Sequence, residues 1–473
     1  MTQLFHTKTK IVATLGPNSS SVDMIKRMLE NGLTVARMNM SHGDHATHAE
    51  VIKNARTASK QAKRPLAILQ DLSGPKIRLG DFETEEVTLV NGNKLTLSTK
   101  ACVGTVDYVF VNYPKLPQEV EVGMHIYLND GKQKLIVDKI KDTEIETTIL
   151  SGGTIKGRRG VNVPDGNLSI SSITPKDKKD LIFGLEQNVD FITLSFVRNA
   201  DDIHQLRKLV GKNSTVSIVA KIETKSAIEN IEEIVAAADV IMVARGDLAI
   251  EMPLEKVPLL QKKIIRAANI AGKPVITATQ MLDSMRLSTT PTRAEVTDIA
   301  NAIIDGTDAI MLSDETAVGN HPDRAIEIMT QVAFEIENDQ YFVDHNASWK
   351  FPTDTIAGSV SRSIARSVIP TNTKVIVTLS ETGSTGRMVS RYRPSAPILV
   401  LTPHQSTFNQ TLIVFGCEPV MIKSVKDLNS ARKIARKVIQ DRGLAKAGET
   451  YIIGAGIPFG ASGATNTMMI EKI

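Results

Sequence analysis

Short runs of consecutive apolar residues, often β-branched, recur along the chain, and stretches with helical spacing separate them. The sharpest run lies at 216–220 (Val-Ser-Ile-Val-Ala) and leads directly into Lys221 and Glu223. A strand apolar on both faces belongs in a parallel sheet covered on each side. Strand alternation puts positions 221 and 223 on one side of the chain, and a strand interior does not tolerate two charges. Both are therefore expected at the strand's C-terminal mouth. Two readings fit them: a cation and a carboxylate facing a pocket for anionic oxygens held with a divalent metal, or an ion pair capping an ordinary strand.

Neighbouring runs repeat the pattern. Residues 240–244 lead into Arg245-Gly246-Asp247, 274–278 into Thr279-Gln280-Met281, and 309–312 into Ser313-Asp314-Glu315. Earlier runs at 11–16, 35–40 and 66–71 alternate with helical patterns at 22–29 and 48–62. Repeated strand–helix units whose strands turn polar at their C-terminal ends predict a (β/α)8 TIM barrel with its site on that face. The rhythm breaks between 76 and 163. Short alternating segments at 87–90, 94–97, 126–128 and 135–137, with turns at Asn91-Gly92, Asn129-Asp130-Gly131 and Gly152-Gly153, predict an inserted small β-barrel domain. The barrel resumes with a helix at 177–187 and a strand at 191–196, and closes with a helix at 324–337.

Past a link holding the only tryptophan, Trp349, helical patterns at 356–368, 386–392, 407–415 and 428–439 alternate with strands at 374–378, 398–401 and 451–453. That order predicts a doubly wound α/β domain. The expected domains are thus the barrel at 1–75 and 164–340, the insert at 76–163, and the C-terminal domain at 341–473.

Composition narrows the class. The 473 residues exceed one ordinary domain, and 42% hydrophobic with 23% charged residues suits a globular protein with a sizeable core. No apolar run reaches the roughly 18 residues of a membrane span, and the first residues do not read as a signal peptide, so the expected location is cytoplasmic. The only cysteines, Cys102 and Cys417, lack metal-type spacing and read as reduced thiols. The net charge of +4 is slight, and Arg158-Arg159 and Lys178-Lys179 are too small and too poor in aromatics for a nucleic-acid surface.

Taken in order, several motifs closely resemble those of the pyruvate kinase family. They are Lys-Ile-Val-Ala-Thr-Leu-Gly-Pro at 10–17, Ala-Arg-Met-Asn-Met-Ser-His-Gly at 36–43, Asp-Leu-Ser-Gly-Pro-Lys-Ile-Arg at 71–78, Val-Ala-Lys-Ile-Glu at 219–223, Val-Ala-Arg-Gly-Asp-Leu at 243–248, Ala-Thr-Gln-Met-Leu at 278–282 and Pro-Thr-Arg-Ala-Glu at 291–295. The resemblance covers essentially the whole chain. It implies phosphoryl transfer from phosphoenolpyruvate to ADP, giving pyruvate and ATP, by a regulated homotetramer that uses Mg²⁺ or Mn²⁺. Another phosphoenolpyruvate or pyruvate barrel enzyme, or a sensor that binds phosphorylated metabolites without turnover, are the competing classes. The inserted domain and the C-terminal domain speak against the first, and the presence of Lys221, Glu223, Asp247 and Thr279 against the second.

Phosphoryl transfer rests on positioning and electrostatics. The resemblance implies that Lys221 is the cation on the transferring group, that Glu223 and Asp247 hold the metal, and that Arg37 contacts phosphate, while Arg78, at the root of the insert, is expected to enter the site when that domain closes as a lid. Thr279 matches the residue linked to protonation of enolpyruvate and is expected to orient a water relay. The backbone from Ala244 through Arg245, Gly246 and Asp247, with Ser313, is expected to cradle the substrate. Asn39, His42, Arg78 and Arg159 match nucleotide-side positions. Ala249 and Asp314 stand where the family usually carries glycine.

Two finer expectations follow from the same resemblance. K⁺-dependent members bind the ion at positions matching Asn39, Ser41, Asp71 and Leu72, and carry glutamate where this chain has Lys76. A lysine ammonium there would supply the missing charge, so K⁺ is not expected to be required. In the C-terminal domain Thr378, Ser380, Glu381, Thr382, Gly383, Ser384, Thr385 and Arg387 match the effector loop, and 456–463 would flank it. Glu381 stands where members activated by fructose 1,6-bisphosphate can carry lysine, so a monophosphate such as AMP or ribose 5-phosphate is the expected effector.

Overall fold

Eight short strands, almost wholly buried, close into a parallel barrel: Lys10–Thr14, Leu33–Asn39, Ala67–Asp71, Phe191–Leu194, Ser217–Ile222, Val240–Ala244, Val275–Ala278 and Ala309–Leu312. Each pairs with its neighbours in sequence, and the eighth returns to the first with Lys10 opposite Ala309. The structure is a computed structural model describing residues 7–166, 168–349, 351, 354–425, 427–458 and 465–473.

Alternation sorts each strand between the barrel lumen and the helices outside. Val12, Val35, Leu69, Phe191, Val219, Met242, Ile276 and Met311 fill the lumen and form one apolar cluster with Phe351, Ile364, Ile376 and Val414 beyond the strands' N-terminal ends. The complementary positions, among them Ile11, Ala36, Ile68, Ile192 and Ile218, pack outward against the helices. Continuing the lumen column toward the strand C-termini reaches Thr14, Arg37, Asp71, Ser195 and Lys221. One end of the lumen is thus apolar and the other charged.

Several helices start at side-chain caps. Asp44 accepts a hydrogen bond from the Thr47 amide at 2.8 Å and opens His45–Ala62, a turn earlier than the hydrophobic spacing suggests. Thr174 with Asp177 and Thr292 with Glu295 form reciprocal capping boxes. Such caps typically contribute about 1 kcal/mol each.

The insert leaves the barrel after Asp71. Its strands form a six-stranded sheet and a two-stranded ribbon, Glu86–Leu89 with Gly153–Lys156, around its own apolar cluster. Register shifts at Lys134/Leu135 and Val137/Lys139 bend the longest strand.

In the C-terminal domain five strands lie in spatial order Cys417–Met421, Ile398–Thr402, Thr373–Leu379, Thr450–Gly456, Thr465–Lys472, the last antiparallel. Two of these escaped the sequence pattern. Cys417–Met421 contains Pro419, tolerated because the strand is at the sheet edge. Thr465–Lys472 alternates weakly and follows the 459–464 segment, which lies outside the described residues. The helix expected at 407–415 is shorter, Gln405–Gln410 with a 3-10 turn at Thr411–Ile413. Val414 and Phe415 leave it to pack beneath the barrel.

There the two domains are tied together. Arg393 donates to Asp308 at 2.9 and 3.2 Å and stacks 4.4 Å over the Phe415 ring. Asn409 donates to Asp190 at 2.7 Å.

Candidate active site

The charged end of the lumen is built by adjacent strand ends. Arg37 donates through Nε to Asp71 Oδ2 at 2.7 Å and through Nη1 to Thr14 Oγ1 at 2.7 Å. This pair is nearly buried, with side chains 10% and 3% exposed, so the guanidinium is locked by three barrel strands. Lys221 donates to Ser195 Oγ at 2.9 Å and lies 3.1 Å from Glu223 Oε2. Ser195 in turn donates to the Leu72 carbonyl at 2.8 Å. The alternation argument holds: Lys221 and Glu223 share one side at the strand mouth.

Glu223 is fully buried. Its Oε1 accepts the Phe196 amide at 2.7 Å, a contact made possible by Phe196 adopting φ +55°. Gly74 completes the corner at φ +67°, where a Cβ would lie 2.8 Å from Phe196 and 2.9 Å from Ser195. Only glycine fits that turn. Oε2 is buried and accepts no hydrogen bond, leaving only its ionic approach to Lys221. Burial, with Asp247 adding to it, raises the Glu223 carboxyl above the usual range. Burial alone would lower Lys221, but Glu223, Asp71 and Asp247 together hold it above the ordinary lysine value, so it stays cationic.

Asp247 and Arg245 lie on the short helix Arg245–Glu251. Arg245 is a clamp: it donates to Asp298 at 2.6 Å, to the Thr279 carbonyl at 2.7 Å and to the Ala278 carbonyl at 3.2 Å. Thr279 sits at φ +72°, a strained conformation for a β-branched residue. Its hydroxyl accepts the Gly246 amide at 2.8 Å and donates to the Ala278 carbonyl at 2.6 Å. The expected cradle is therefore not a row of free amides, because Gly246 is already engaged by Thr279. Gly246 has no positive φ, and a Cβ there would meet Thr279 only at ordinary contact distance, 3.6 Å. Internal packing does not require this glycine. Ser313 is fixed by Glu315, whose Oε2 accepts its amide at 2.7 Å; Asp314 is exposed, and Ala249 lies half-buried in the Arg245–Glu251 helix.

The remaining expected residues divide between the barrel and the insert. On the barrel rim, Asn39 Oδ1 accepts the Ser41 amide at 3.1 Å, and His42 is exposed with its carbonyl 2.8 Å from His48 Nε2. On the insert, Arg78 donates to the Arg158 carbonyl at 3.0 Å and Arg159 is exposed. No hydrogen bond or ion pair joins Lys76 to Asn39, Ser41 or Asp71. Its ammonium lies 3.6 Å from Asp130 of the insert. Sequence reasoning missed Thr14, Ser195 and the Phe196 amide. The signal for Ser195 was present, since 191–196 is another apolar strand that turns polar at its end.

In the C-terminal loop, Glu381 pairs with His404 at 2.6 Å and Thr407 donates to the Glu381 carbonyl at 2.6 Å. Arg387 donates to the Thr382 carbonyl at 2.8 Å, Gly383 caps the helix Ser384–Ser390 at φ +75°, and Thr385 meets Thr465 at 2.7 Å. Thr378 is buried, and the Ser380 amide donates to Leu401 at 3.1 Å. Of 456–463, residues 459–463 lie outside the described residues.

Among the described residues no cluster of three or more metal-binding side chains occurs, and no helix is long and apolar enough to cross a membrane. Two carboxylates, one with a buried oxygen that accepts no hydrogen bond, nonetheless suit Mg²⁺, which keeps several positions for water and substrate.

Comparison with known proteins agrees. The family profile "Pyruvate kinase, barrel domain" matches residues 6–326, and "Pyruvate kinase, alpha/beta domain" matches 358–471. The pyruvate kinase of Geobacillus stearothermophilus is 42% identical over 471 residues, 98% of this chain and 80% of that one. That of Staphylococcus aureus (strain MRSA252) is 41% identical over 470 residues, with the same coverage. The crystal structure of a pyruvate kinase from Cryptosporidium parvum superposes with a TM-score of 0.92 at 34% identity, covering 99% of this chain and 96% of that chain.

Proposed function

The chain belongs to the pyruvate kinase family and transfers the phosphoryl group of phosphoenolpyruvate to ADP, and on that premise we propose how its residues share the work. The observation that carries the assignment is the buried Lys221–Glu223 pair, whose Glu223 Oε2 is met by the Lys221 ammonium alone. Lys221 is held cationic by three carboxylates and, aimed by Ser195, stabilises charge that spreads over the transferring phosphoryl oxygens. Arg37, fixed by Asp71 and Thr14, presents its fork to the same group.

The family generally needs Mg²⁺. Glu223 and Asp247 are the residues that would hold it, and when bound it neutralises developing negative charge. Thr279, tied to the Gly246 amide, positions the proton relay to enolpyruvate. Ala244 to Asp247 and Ser313 line the substrate side. Arg78 and Arg159 come from the insert and Asn39 and His42 from the barrel, so closure of the insert would complete the nucleotide side. A coupled assay of ADP-dependent pyruvate formation tests the assignment. Activity in the native chain and its loss in Lys221→Met, with Mn²⁺ binding retained, is the expected result.

Turnover without K⁺ is the second part of the reading. The support is chemical: Lys76 is a cation beside the cleft where K⁺-dependent relatives carry glutamate, and Leu72 offers main chain only. Equal rates in KCl and tetramethylammonium chloride are expected; strong stimulation by KCl would refute it.

Regulation is the third. The strand order 3-2-1-4-5 has its switch point between Thr373–Leu379 and Thr450–Gly456, the crevice where α/β sheets bind ligands. The 380–387 loop borders it, and Glu381 disfavours a second phosphate. Activation by a monophosphate, with a homotetramer as the regulated unit, is expected. A response to fructose 1,6-bisphosphate alone would overturn this.

A further inference from the structure

The helix Pro175–Glu186 follows the return of the insert to the barrel, and three charged side chains of its opening turns reach loops that follow two barrel strands. Asp180 is buried, its side chain 3% exposed, and both of its oxygens are engaged. Oδ1 lies 2.8 Å from His45 Nε2, and Oδ2 accepts the Lys176 ammonium at 2.6 Å. Lys176 also donates to the Met40 carbonyl at 2.6 Å. The His45 ring stacks on Phe183 of the same helix, with centroids 4.5 Å apart. Asp177, fully buried, caps the helix and accepts the Gly74 amide at 3.2 Å. Gln70 adds a hydrogen bond to the Asp180 carbonyl at 2.6 Å. One helix thus grips the turn after Leu33–Asn39 at Met40 and His45, and the turn after Ala67–Asp71 at Gly74.

Between the two grips on the first turn lie Ser41, His42, Gly43 and Asp44. The other ties of this stretch are to the next strand end or to itself. The Met40 amide donates to the Asp71 carbonyl at 3.0 Å, Asn39 Oδ1 accepts the Ser41 amide at 3.1 Å, and the His42 amide reaches the Asn39 carbonyl at 3.3 Å. His48, one turn into the helix that follows, meets the His42 carbonyl at 2.8 Å. The side chains of Ser41 and His42 are exposed and make no hydrogen bond among the described residues. We propose that Lys176 and Asp180 are positioning residues for the nucleotide side of the reaction, fixing the 40–45 turn so that Asn39 and His42 meet the nucleotide in one arrangement. The inference rests on the reading of Asn39 and His42 given above. An ammonium shared between a carbonyl and a carboxylate holds both in fixed relation, and charge-assisted bonds are the strong ones. A turn of exposed polar residues ordered beforehand lowers the entropy cost of binding. Phosphoryl transfer depends on alignment, where a displacement of about 1 Å can cost about a hundredfold.

The test is steady-state kinetics of the full chain at saturating Mg²⁺, with ADP and phosphoenolpyruvate varied in turn. Lys176→Met should raise the ADP KM about tenfold and leave the phosphoenolpyruvate KM within about twofold of native. Lys176→Arg, whose guanidinium can still span the Met40 carbonyl and Asp180, should restore most of the loss. Hydrogen exchange should show faster opening of 40–45 in Lys176→Met, with the rest of the barrel unchanged. Thermal midpoints establish that each variant is folded. Asp180→Asn, which keeps the shape and removes the shared charge, carries the same readout if Lys176→Met does not fold. His42→Ala separates the two readings. An unchanged ADP KM there would remove the turn from the nucleotide side; a raised one, beside a native value in folded Lys176→Met, would overturn the positioning role alone. Equal rises in both KM values with a lowered midpoint would make the contact structural and overturn the proposal as well.

Discussion

The two ends of the barrel treat a buried carboxylate in opposite ways. Beneath it, Asp308 is saturated: Oδ1 accepts Arg393 and the Phe415 amide, and Oδ2 accepts Arg393 and the Val275 amide. Above it, Glu223 is as deeply buried, yet only Oε1 accepts a hydrogen bond. Asp308 joins domains, and its partners come from both. Glu223 Oε2 has only the Lys221 ammonium, 3.1 Å away, and at the same end of the barrel Thr279 is held at φ +72°. Strain and a thinly partnered acceptor are tolerated where they serve a ligand, and full pairing is found where the end only has to hold.

The comparison breaks most readily at the lower end. Asp308→Ala leaves Arg393 buried without its partner and should destabilise the fold by roughly 3–5 kcal/mol, read as a lower denaturation midpoint. A loss under about 1 kcal/mol would mean that the clamp is ornamental. Lys221→Met should do the reverse. Catalysis should fall by roughly 3–4 kcal/mol or more of transition-state stabilisation, at least about a hundredfold in kcat, while the melting temperature should drop less than in Asp308→Ala, because Glu223, already raised above the usual range by burial, can take up a proton. Near-normal turnover would remove Lys221 from the mechanism.

Thr279→Ala should be milder, with kcat about tenfold to a hundredfold lower and phosphoenolpyruvate KM little altered, because the hydroxyl acts in proton delivery. A KM change equal to the kcat change would instead make it a binding residue. The smallest effect belongs to Asp314→Gly. This exposed departure should shift both stability and kcat/KM by under about 0.5 kcal/mol. A larger effect would show that the loop's added carboxylate tunes the site.

The sequence by itself determined where the chemistry lies along each strand. Alternation is local, so Lys221 and Glu223 could be set on one side, and Thr279 just past a strand end, without knowing any partner, whereas Arg37 and Asp71 were singled out by their match to family motifs. The same logic located the insert, because the helical period vanished across it. It failed where the signal was weak or interrupted, as at Pro419 in an edge strand. What it could not supply was pairing. Arg37 and Asp71 are 34 residues apart, Arg393 and Asp308 85, and Lys221 reaches Ser195 across 26. Which side chains meet depends on the closure and stagger of eight strands and on how the C-terminal domain seats beneath them. Lys76 shows the limit most clearly: its type was legible, but its direction, toward Asp130, was decided by how the insert folds back on its own first residue, a contact no local pattern encodes.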